Sequence, residues 1–157
     1  MALNYNFVKI EHYGSLAFSE RPKIKEIKNL AHGNCSCVVT ILAAHGEQAL
    51  RIGNEVQAQG MHWEWVKVKN AVKIDANEKA IFKQAVKNVS TCIKNNQNIL
   101  IHCSAGLHRT GIFAYCLLKH LGVPENNALD YIRQIRFKTF EAFEQKYKNI
   151  AFELSTT

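Results

Sequence analysis

The chain has 157 residues, the length of one ordinary domain, and 47% of them are hydrophobic while 21% are charged. This composition excludes a disordered or low-complexity protein and supplies a buried core without the help of disulfides. No apolar run approaches the roughly 18 residues of a membrane-spanning helix, and residues 1–10 lack the apolar stretch of a secretory signal. We therefore expect a soluble, cytoplasmic protein with a single domain over residues 1–157.

The charge balance is basic, because twenty Lys and Arg residues against thirteen Asp and Glu give a net charge of +7. An excess of this kind favours anionic partners such as phosphorylated molecules, nucleic acids or acidic membranes. The basic residues are dispersed along the chain, which is also typical of an ordinary solvated surface, so a nucleic-acid partner is not specifically indicated.

The cysteine pattern predicts free thiols. Five cysteines form an odd set without a secretory signal, so a disulfide framework is not expected. Cys35 and Cys37 have the wrong spacing for a zinc knuckle, and no second Cys/His pair of zinc-knuckle spacing accompanies them. Cys92 and Cys116 fall on the apolar faces of predicted helices, where a free cysteine is usually a small core residue.

Predicted strands and helices alternate along the chain, and this order favours an α/β fold in which a central, mainly parallel sheet is flanked by helices. The predicted strands are 15–18, 37–42, 63–68 and 99–102, of which 37–42 and 99–102 are continuous apolar runs typical of buried strands. The predicted helices run from Pro22 to Gly33, over 47–59, from a capping box at Asp75 to about Lys94, from about Arg109, and over 125–136 and 140–154.

The most informative segment joins the strand 99–102 to the helix that follows it. The strand delivers Cys103 to a short loop, and the loop leads into a helix N-terminus, where backbone N–H groups and the helix dipole favour a bound oxyanion. The same field favours the thiolate form of Cys103. Arg109, six residues on, can grip two phosphate oxygens with its planar guanidinium. Together these residues predict phosphoryl transfer through a cysteinyl-phosphate intermediate.

The run His102-Cys103, five residues, then Arg109-Thr110 resembles the signature loop of the cysteine-dependent protein tyrosine phosphatase superfamily. The small size of the chain resembles the dual-specificity branch, and the order of strands and helices from Cys37 to Arg136 agrees with that fold. The resemblance implies Cys103 as nucleophile, Arg109 as the phosphate-binding residue, and Thr110 as the hydrogen-bond donor that helps the thiolate leave. His102 would orient the loop.

The resemblance also implies that the residues between the nucleophile and the arginine bind substrate. These residues, together with Arg109, are Ser104, Ala105, Gly106, Leu107 and His108. A histidine directly before the arginine also occurs in atypical members that act on inositol pyrophosphates. No metal or other cofactor is expected, since Arg109 and the loop amides would carry the phosphate charge and no Asp/Glu cluster is available for magnesium.

The general acid is the open question of the sequence. The family generally uses an aspartate some thirty residues before the nucleophile, and Asp75, 28 residues before Cys103, is the one aspartate upstream of it. Asp75 also suits a purely structural role as helix cap. Glu78 and Glu64 are the alternatives, and a site without an acid would process only good leaving groups.

Three functions follow from these residues. The first is a phosphatase for phosphotyrosine, and also phosphoserine or phosphothreonine, in proteins. The second is a phosphatase for inositol phosphates, phosphoinositides or RNA 5′-triphosphate. The third is a phosphate-binding pseudoenzyme that recognises phosphorylated partners without hydrolysing them.

Overall fold

The computed structural model describes residues 2–156, and the centre of the described chain is a five-stranded sheet of order β1-β2-β5-β3-β4. Only the short edge strand β1 is antiparallel to its neighbour, and the other pairings are parallel. The mainly parallel α/β fold predicted from the sequence is confirmed. The strands are β1 (Val8–Lys9), β2 (Ser15–Ser19), β3 (Cys37–Ile41), β4 (His62–Val66) and β5 (Asn98–His102).

Helices cover both faces of the sheet. On one face, Val38 and Leu100 pack with buried residues of α1 and α2, and on the other face Val39 and Ile101 join the larger core formed with the remaining helices. None of the helices within residues 2–156 has the length and apolar character to cross a membrane. The helices are α1 (Ile24–His32), α2 (Ala49–Ala58), α3 (Ala76–Lys94), α4 (His108–His120), α5 (Glu125–Ile135), α6 (Phe137–Ala142) and α7 (Gln145–Ser155).

The C-terminal region differs from the sequence prediction, which placed one helix over 140–154. The structure has two helices, α6 and α7, and the chain leaves helical geometry at Phe143, with φ −84° and ψ 66°. Phe143 is buried against the face of α4 at Gly111 and Tyr115. The break therefore lets the chain bury an aromatic ring that a continuous helix would place elsewhere. The strand β1 was also not predicted, because two residues are too few to produce a pattern.

The sheet brings four loops to one edge. Because β2, β5, β3 and β4 are parallel, their carboxyl ends lie at the same side of the sheet. Ligands of parallel α/β sheets bind at this edge. Strand β5 lies between β2 and β3 and is buried from Ile99 to His102, so the loop that follows it begins at the centre of the edge.

A buried hydrogen-bond chain fixes the end of β5. The indole N–H of Trp63 donates to Thr40 Oγ1 at 2.8 Å, and Thr40 Oγ1 lies 2.7 Å from Nε2 of His102. The other ring nitrogen, Nδ1, lies 2.9 Å from the carbonyl oxygen of Cys103. A carbonyl can only accept, so Nδ1 carries the proton and Nε2 accepts from the Thr40 hydroxyl. A neutral imidazole therefore satisfies every partner, and complete burial lowers the pKa of His102 to about 4.

The free energy of unfolding is expected to fall at acid pH because of His102. The pKa of His102 in the folded state is about 4, below its ordinary value of 6.5, so the unfolded chain takes up the proton first as the pH decreases. The contribution of neutral His102 to the free energy of unfolding is therefore present above about pH 6.5 and is lost toward pH 4. At pH 5 the free energy of unfolding should be about 2 kcal/mol lower than at pH 8. Urea unfolding at pH 8 and at pH 5 measures this difference in unfolding free energy.

The matched variants are His102→Gln, which removes the titrating group, and His120→Gln, which removes an exposed histidine at the end of α4. The difference in unfolding free energy between pH 8 and pH 5 should shrink in His102→Gln and persist in His120→Gln. An undiminished difference in His102→Gln would show that another group causes it.

Candidate active site

The loop between β5 and α4 has a backbone that only glycine permits at one position. Gly106 has φ +72°, a left-handed conformation, and a Cβ atom there would collide with the carbonyl oxygen of Ser19. The glycine thus lets the loop curl tightly against the end of β2. This position explains why a small, neutral residue occupies the middle of the loop.

Hydrogen-bond donors from outside the loop bind its carbonyl groups. The carbonyl of Gly106 accepts from Thr139 Oγ1 at 2.6 Å and from Arg136 Nη1 at 3.0 Å, and that of Ala105 accepts from Arg136 Nη1 at 3.2 Å. The carbonyl of Ser104 accepts from the backbone N–H of Arg21 at 2.9 Å.

The amide groups of the loop are left for a ligand. The backbone N–H groups of residues 104–109 find no acceptor within residues 2–156. They surround the N-terminus of α4, whose dipole places partial positive charge at the same point. The arrangement is a cradle for a tetrahedral anion.

The nucleophile candidate lies at the bottom of this cradle. Cys103 is only 3% exposed. The hydroxyl of Thr110, in the first turn of α4, donates to Cys103 Sγ at 3.2 Å. A hydroxyl donor at this distance stabilises a thiolate when one is present, both before attack and when the sulfur acts as leaving group.

Arg109 is held by an ion pair that uses one edge of its guanidinium. Its Nη1 and Nη2 donate to the two carboxylate oxygens of Glu47 at 3.0 and 3.2 Å, and Nη1 also donates to the carbonyl of Val68 at 3.0 Å. These bonds occupy three of the five N–H donors and leave the Nε–H and the second Nη2 hydrogen, which lie on the other edge. That edge can bind two oxygens of a phosphate side-on.

Glu47 remains ionised in this setting. Burial by itself would raise its pKa, but hydrogen bonds from Arg109 and from the backbone N–H of Ala43, together with the nearby charge of Arg21, lower it. The carboxylate therefore acts as a fixed anchor that positions the guanidinium. Sequence reasoning did not select Glu47, although its place in the loop after β3 puts it at the same sheet edge as Cys103.

Arg136 and Thr139 are also absent from the residues selected by sequence. Arg136 is half-buried beneath the loop, and burial lowers its pKa from the ordinary value while Glu20 and Cys103 counteract that effect. Its charge thus adds to the positive field at the loop while its hydrogen bonds fix the carbonyls. No sequence spacing relates these residues to Cys103, since α6 reaches the loop only through the tertiary fold.

The loop forms the floor of an open pocket of about 300 Å³. His108 belongs to its wall and stacks on Tyr147 of α7, with ring centroids 4.2 Å apart and an interplanar angle of 12°. Burial lowers the pKa of His108 and favours the neutral ring. The lining residues are Lys69, Asn70, Ala71, Val72, Cys103, Ser104, Ala105, Leu107, His108, Arg109 and Tyr147. The predicted substrate-binding residues therefore lie around one pocket, except Gly106, which is buried behind it.

The acidic candidates lie outside the lining of the pocket. Asp75 is exposed and caps α3, accepting from the backbone N–H of Glu78 at 2.8 Å, while Glu78 accepts from Asp75 N at 3.2 Å, as the capping box predicted. The segment 69–72, which does line the pocket, lies only a few residues before Asp75. Glu64 lies 3.8 Å from His62 and accepts a hydrogen bond from Asn88 of α3.

Comparison with known proteins agrees with this geometry. A family described as "Dual specificity phosphatase, catalytic domain" matches residues 16–153. Cyclin-dependent kinase inhibitor 3 of Rattus norvegicus is 38% identical over 55 residues, which are 34% of this chain and 26% of that protein. The match thus spans about a quarter of the length of this curated relative.

Two solved structures show how widely the fold is shared. A kinase associated phosphatase (KAP) with its catalytic-site cysteine replaced by serine aligns with a TM-score of 0.77 and 18% identity, over 100% of this chain and 98% of that one. PTPMT1 in complex with PI(5)P aligns with a TM-score of 0.63 and 15% identity, over 94% and 97% of the two chains. With the family match over residues 16–153, the chain belongs to the dual specificity phosphatases, within the superfamily of cysteine-dependent protein tyrosine phosphatases.

Proposed function

We propose that the chain is a metal-independent phosphatase that hydrolyses phosphotyrosine, and also phosphoserine or phosphothreonine, in proteins through a cysteinyl-phosphate intermediate. The observation that carries this proposal is the loop of residues 103–109, in which unpaired amides, the Thr110 hydroxyl and the free edge of Arg109 surround one buried cysteine sulfur. Membership of the phosphatase family supports the reaction class. Because the nucleophile must stay reduced, the proposed setting is the cytoplasm.

In the first step, the phosphoryl group of the substrate occupies the cradle and the thiolate of Cys103 attacks phosphorus. The P–S bond forms as the P–O bond to the leaving group breaks in line with it, and a proton must reach the leaving oxygen. The loop amides and Arg109 stabilise the charge on the three equatorial oxygens. Glu47 contributes indirectly by keeping the guanidinium in one orientation.

In the second step, a water oxygen attacks the phosphorus of the phosphocysteine, a proton of that water passes to the general acid deprotonated in the first step or to solvent, and inorganic phosphate is released. The P–S bond breaks, and the sulfur of Cys103 departs as a thiolate. The hydrogen bond from Thr110 Oγ1, 3.2 Å from the sulfur, stabilises that departing charge. A threonine at this position therefore assists the second step more than the first.

The pocket lining supports a monophosphate on an aromatic side chain. The loop residues Ser104, Ala105 and Leu107 are neutral, and Lys69 is the one cation besides Arg109 among the lining residues. Val72, which is 48% exposed, and the stacked pair of His108 and Tyr147 offer apolar and aromatic surface to a phenol ring. A substrate with several phosphates would leave most of its charge without a partner here.

Two other functions remain as outcomes of the test. The net charge of +7 favours inositol phosphates, phosphoinositides or RNA 5′-triphosphate. A phosphate-binding pseudoenzyme would use the same cradle without turnover, and the intact set of Cys103, Arg109 and Thr110 argues against it.

Asp75 is the proposed general acid. It follows the pocket-lining segment 69–72, whose residues Lys69, Asn70 and Val72 are exposed. Closure of that segment over a bound substrate would carry Asp75 toward the leaving oxygen. The hydrogen bond that Asp75 accepts from the backbone N–H of Glu78 would then break.

The first test compares substrates in the presence of a chelator. A phosphotyrosyl peptide should be hydrolysed with a kcat/KM at least about tenfold above that of an inositol phosphate or a 5′-triphosphate RNA, because the pocket neutralises one phosphate. Cys103→Ser should lose turnover by about 10³-fold or more and still bind inorganic phosphate, since the amides and Arg109 remain.

Each alternative has its own result in that assay. A faster rate on inositol phosphate or RNA would replace the protein substrate class, and phosphopeptide binding without turnover would identify a pseudoenzyme. Activity of Cys103→Ser within about tenfold of the wild type, or a requirement for added metal, would contradict the mechanism.

The second test separates catalysis by Asp75 from its role as a cap. Asp75→Asn should lower kcat on an alkyl phosphate by about 10²–10³-fold and have less effect on an aryl phosphate, whose leaving group needs little protonation. Asparagine caps a helix about as well as aspartate, so Tm should not change. Glu78→Gln and Glu64→Gln are the matched controls, and a leaving-group-dependent loss in either of them, with Asp75→Asn unaffected, would assign the acid to that glutamate.

A further inference from the structure

Three potential metal ligands converge far from the catalytic loop. Cys37, His62 and Cys92 each offer one ligand atom, and these atoms lie within 4.8 Å of one another. They come from three different elements, β3, β4 and α3. Nothing in the proposed phosphatase mechanism uses any of them.

The sheet register produces this convergence. Cys37 and His62 are the first residues of two parallel strands and are direct register partners, so their side chains lie side by side on one face. Helix α3 packs on this face through Val89 and Ile93, and Cys92 lies near its end. The cluster therefore lies at the amino ends of the strands, whereas Cys103 follows the carboxyl end of β5.

We propose that Cys37, His62 and Cys92 form a zinc-binding site that is separate from the active site. Zinc–sulfur bonds of about 2.3 Å and zinc–nitrogen bonds of about 2.0 Å in a tetrahedron place the ligand atoms about 3.5–3.8 Å apart. The observed limit of 4.8 Å means that side-chain movement of about 1 Å closes the site. Water occupies the fourth position, on the exposed side where the His62 side chain is 54% accessible.

The donor set favours zinc over the hard cations. Two thiolates and one imidazole are soft or borderline ligands, whereas magnesium and calcium require oxygen donors. Glu64, with Oε1 3.8 Å from His62 Nε2, adds negative charge beside the cation and can accept a hydrogen bond from the imidazole or from the bound water.

Zinc binding at this site releases protons from the two thiols. Zinc displaces the protons of the thiols it binds, so each sulfur enters as a thiolate and the released protons go to solvent. The cation would join α3 to both strands at the end of the sheet that the active-site loops do not cover.

The test uses reduced, metal-free protein carrying Cys103→Ser, so that the catalytic sulfur cannot bind metal. One equivalent of Zn²⁺ should bind with a Kd of about 1 µM or tighter in competition with a chromophoric chelator, and should raise Tm. Cobalt(II) at the same site should show thiolate-to-cobalt charge transfer and the intense d–d bands of tetrahedral coordination.

Four variants in that background locate the site. Cys92→Ser and His62→Ala should each weaken Zn²⁺ binding at least about tenfold and remove the shift in Tm. The controls Cys35→Ser and His32→Ala, which change a buried cysteine and an exposed histidine outside the cluster, should bind like the parent. His62 is an exposed residue, so its substitution tests the site even if a cysteine variant folds poorly.

Binding weaker than about 100 µM in the parent, or binding that is unchanged in both Cys92→Ser and His62→Ala, would overturn the proposal. Neither result depends on phosphatase activity, so the proposed function stands or falls separately.

Discussion

The active-site architecture depends on the direction of the peptide groups in the loop of residues 103–107. Arg136 and Thr139 bind the loop carbonyls from outside, and the left-handed Gly106 allows the turn that this requires. As a result, the N–H groups of the same peptides and the N-terminus of α4 face a common centre. Were these carbonyls free, the loop could reverse its peptides and the anion cradle would be lost.

The charge of Arg109 is paired with that of Glu47 before any substrate arrives. Arg109 is only 12% exposed at its side chain, and an unpaired guanidinium in that position would carry a large desolvation cost. Glu47 offsets that cost by binding one edge of the guanidinium and leaves the other edge for phosphate. Burial keeps His102, next to Cys103, neutral, so its hydrogen bonds with Thr40 and with the carbonyl of Cys103 form without a buried positive charge that would need a counter-ion.

The sequence predicted those features that local pattern encodes. The buried strand before Cys103, the helix after it and the capping box at Asp75 each occupy a few consecutive residues with a characteristic order, and the structure contains them. Local pattern could not predict the residues that reach the loop from distant parts of the chain. Glu47 lies 62 residues before Arg109, and Arg136 and Thr139 lie about 30 residues after the loop.

Tertiary packing also explains the two remaining differences. The break at Phe143 follows from burial of its ring against α4, which no helical periodicity reveals. Cys92 was expected to be a core thiol, but the packing of α3 on the sheet places it at a partly exposed position beside Cys37 and His62, which are register partners in β3 and β4. To find that cluster from the sequence, both the strand register and the packing of α3 on the sheet would have to be predicted.

In the proposed mechanism, the sulfur of Cys103 carries the phosphoryl group during turnover. The most direct measurement is to stop the reaction on an aryl phosphate with denaturant, digest the protein and locate the phosphoryl group by mass spectrometry. Phosphate should be found on Cys103, and none should be found on that peptide in Cys103→Ser. Phosphate on His102 or His108, or continued turnover with no phosphorylated residue, would contradict it.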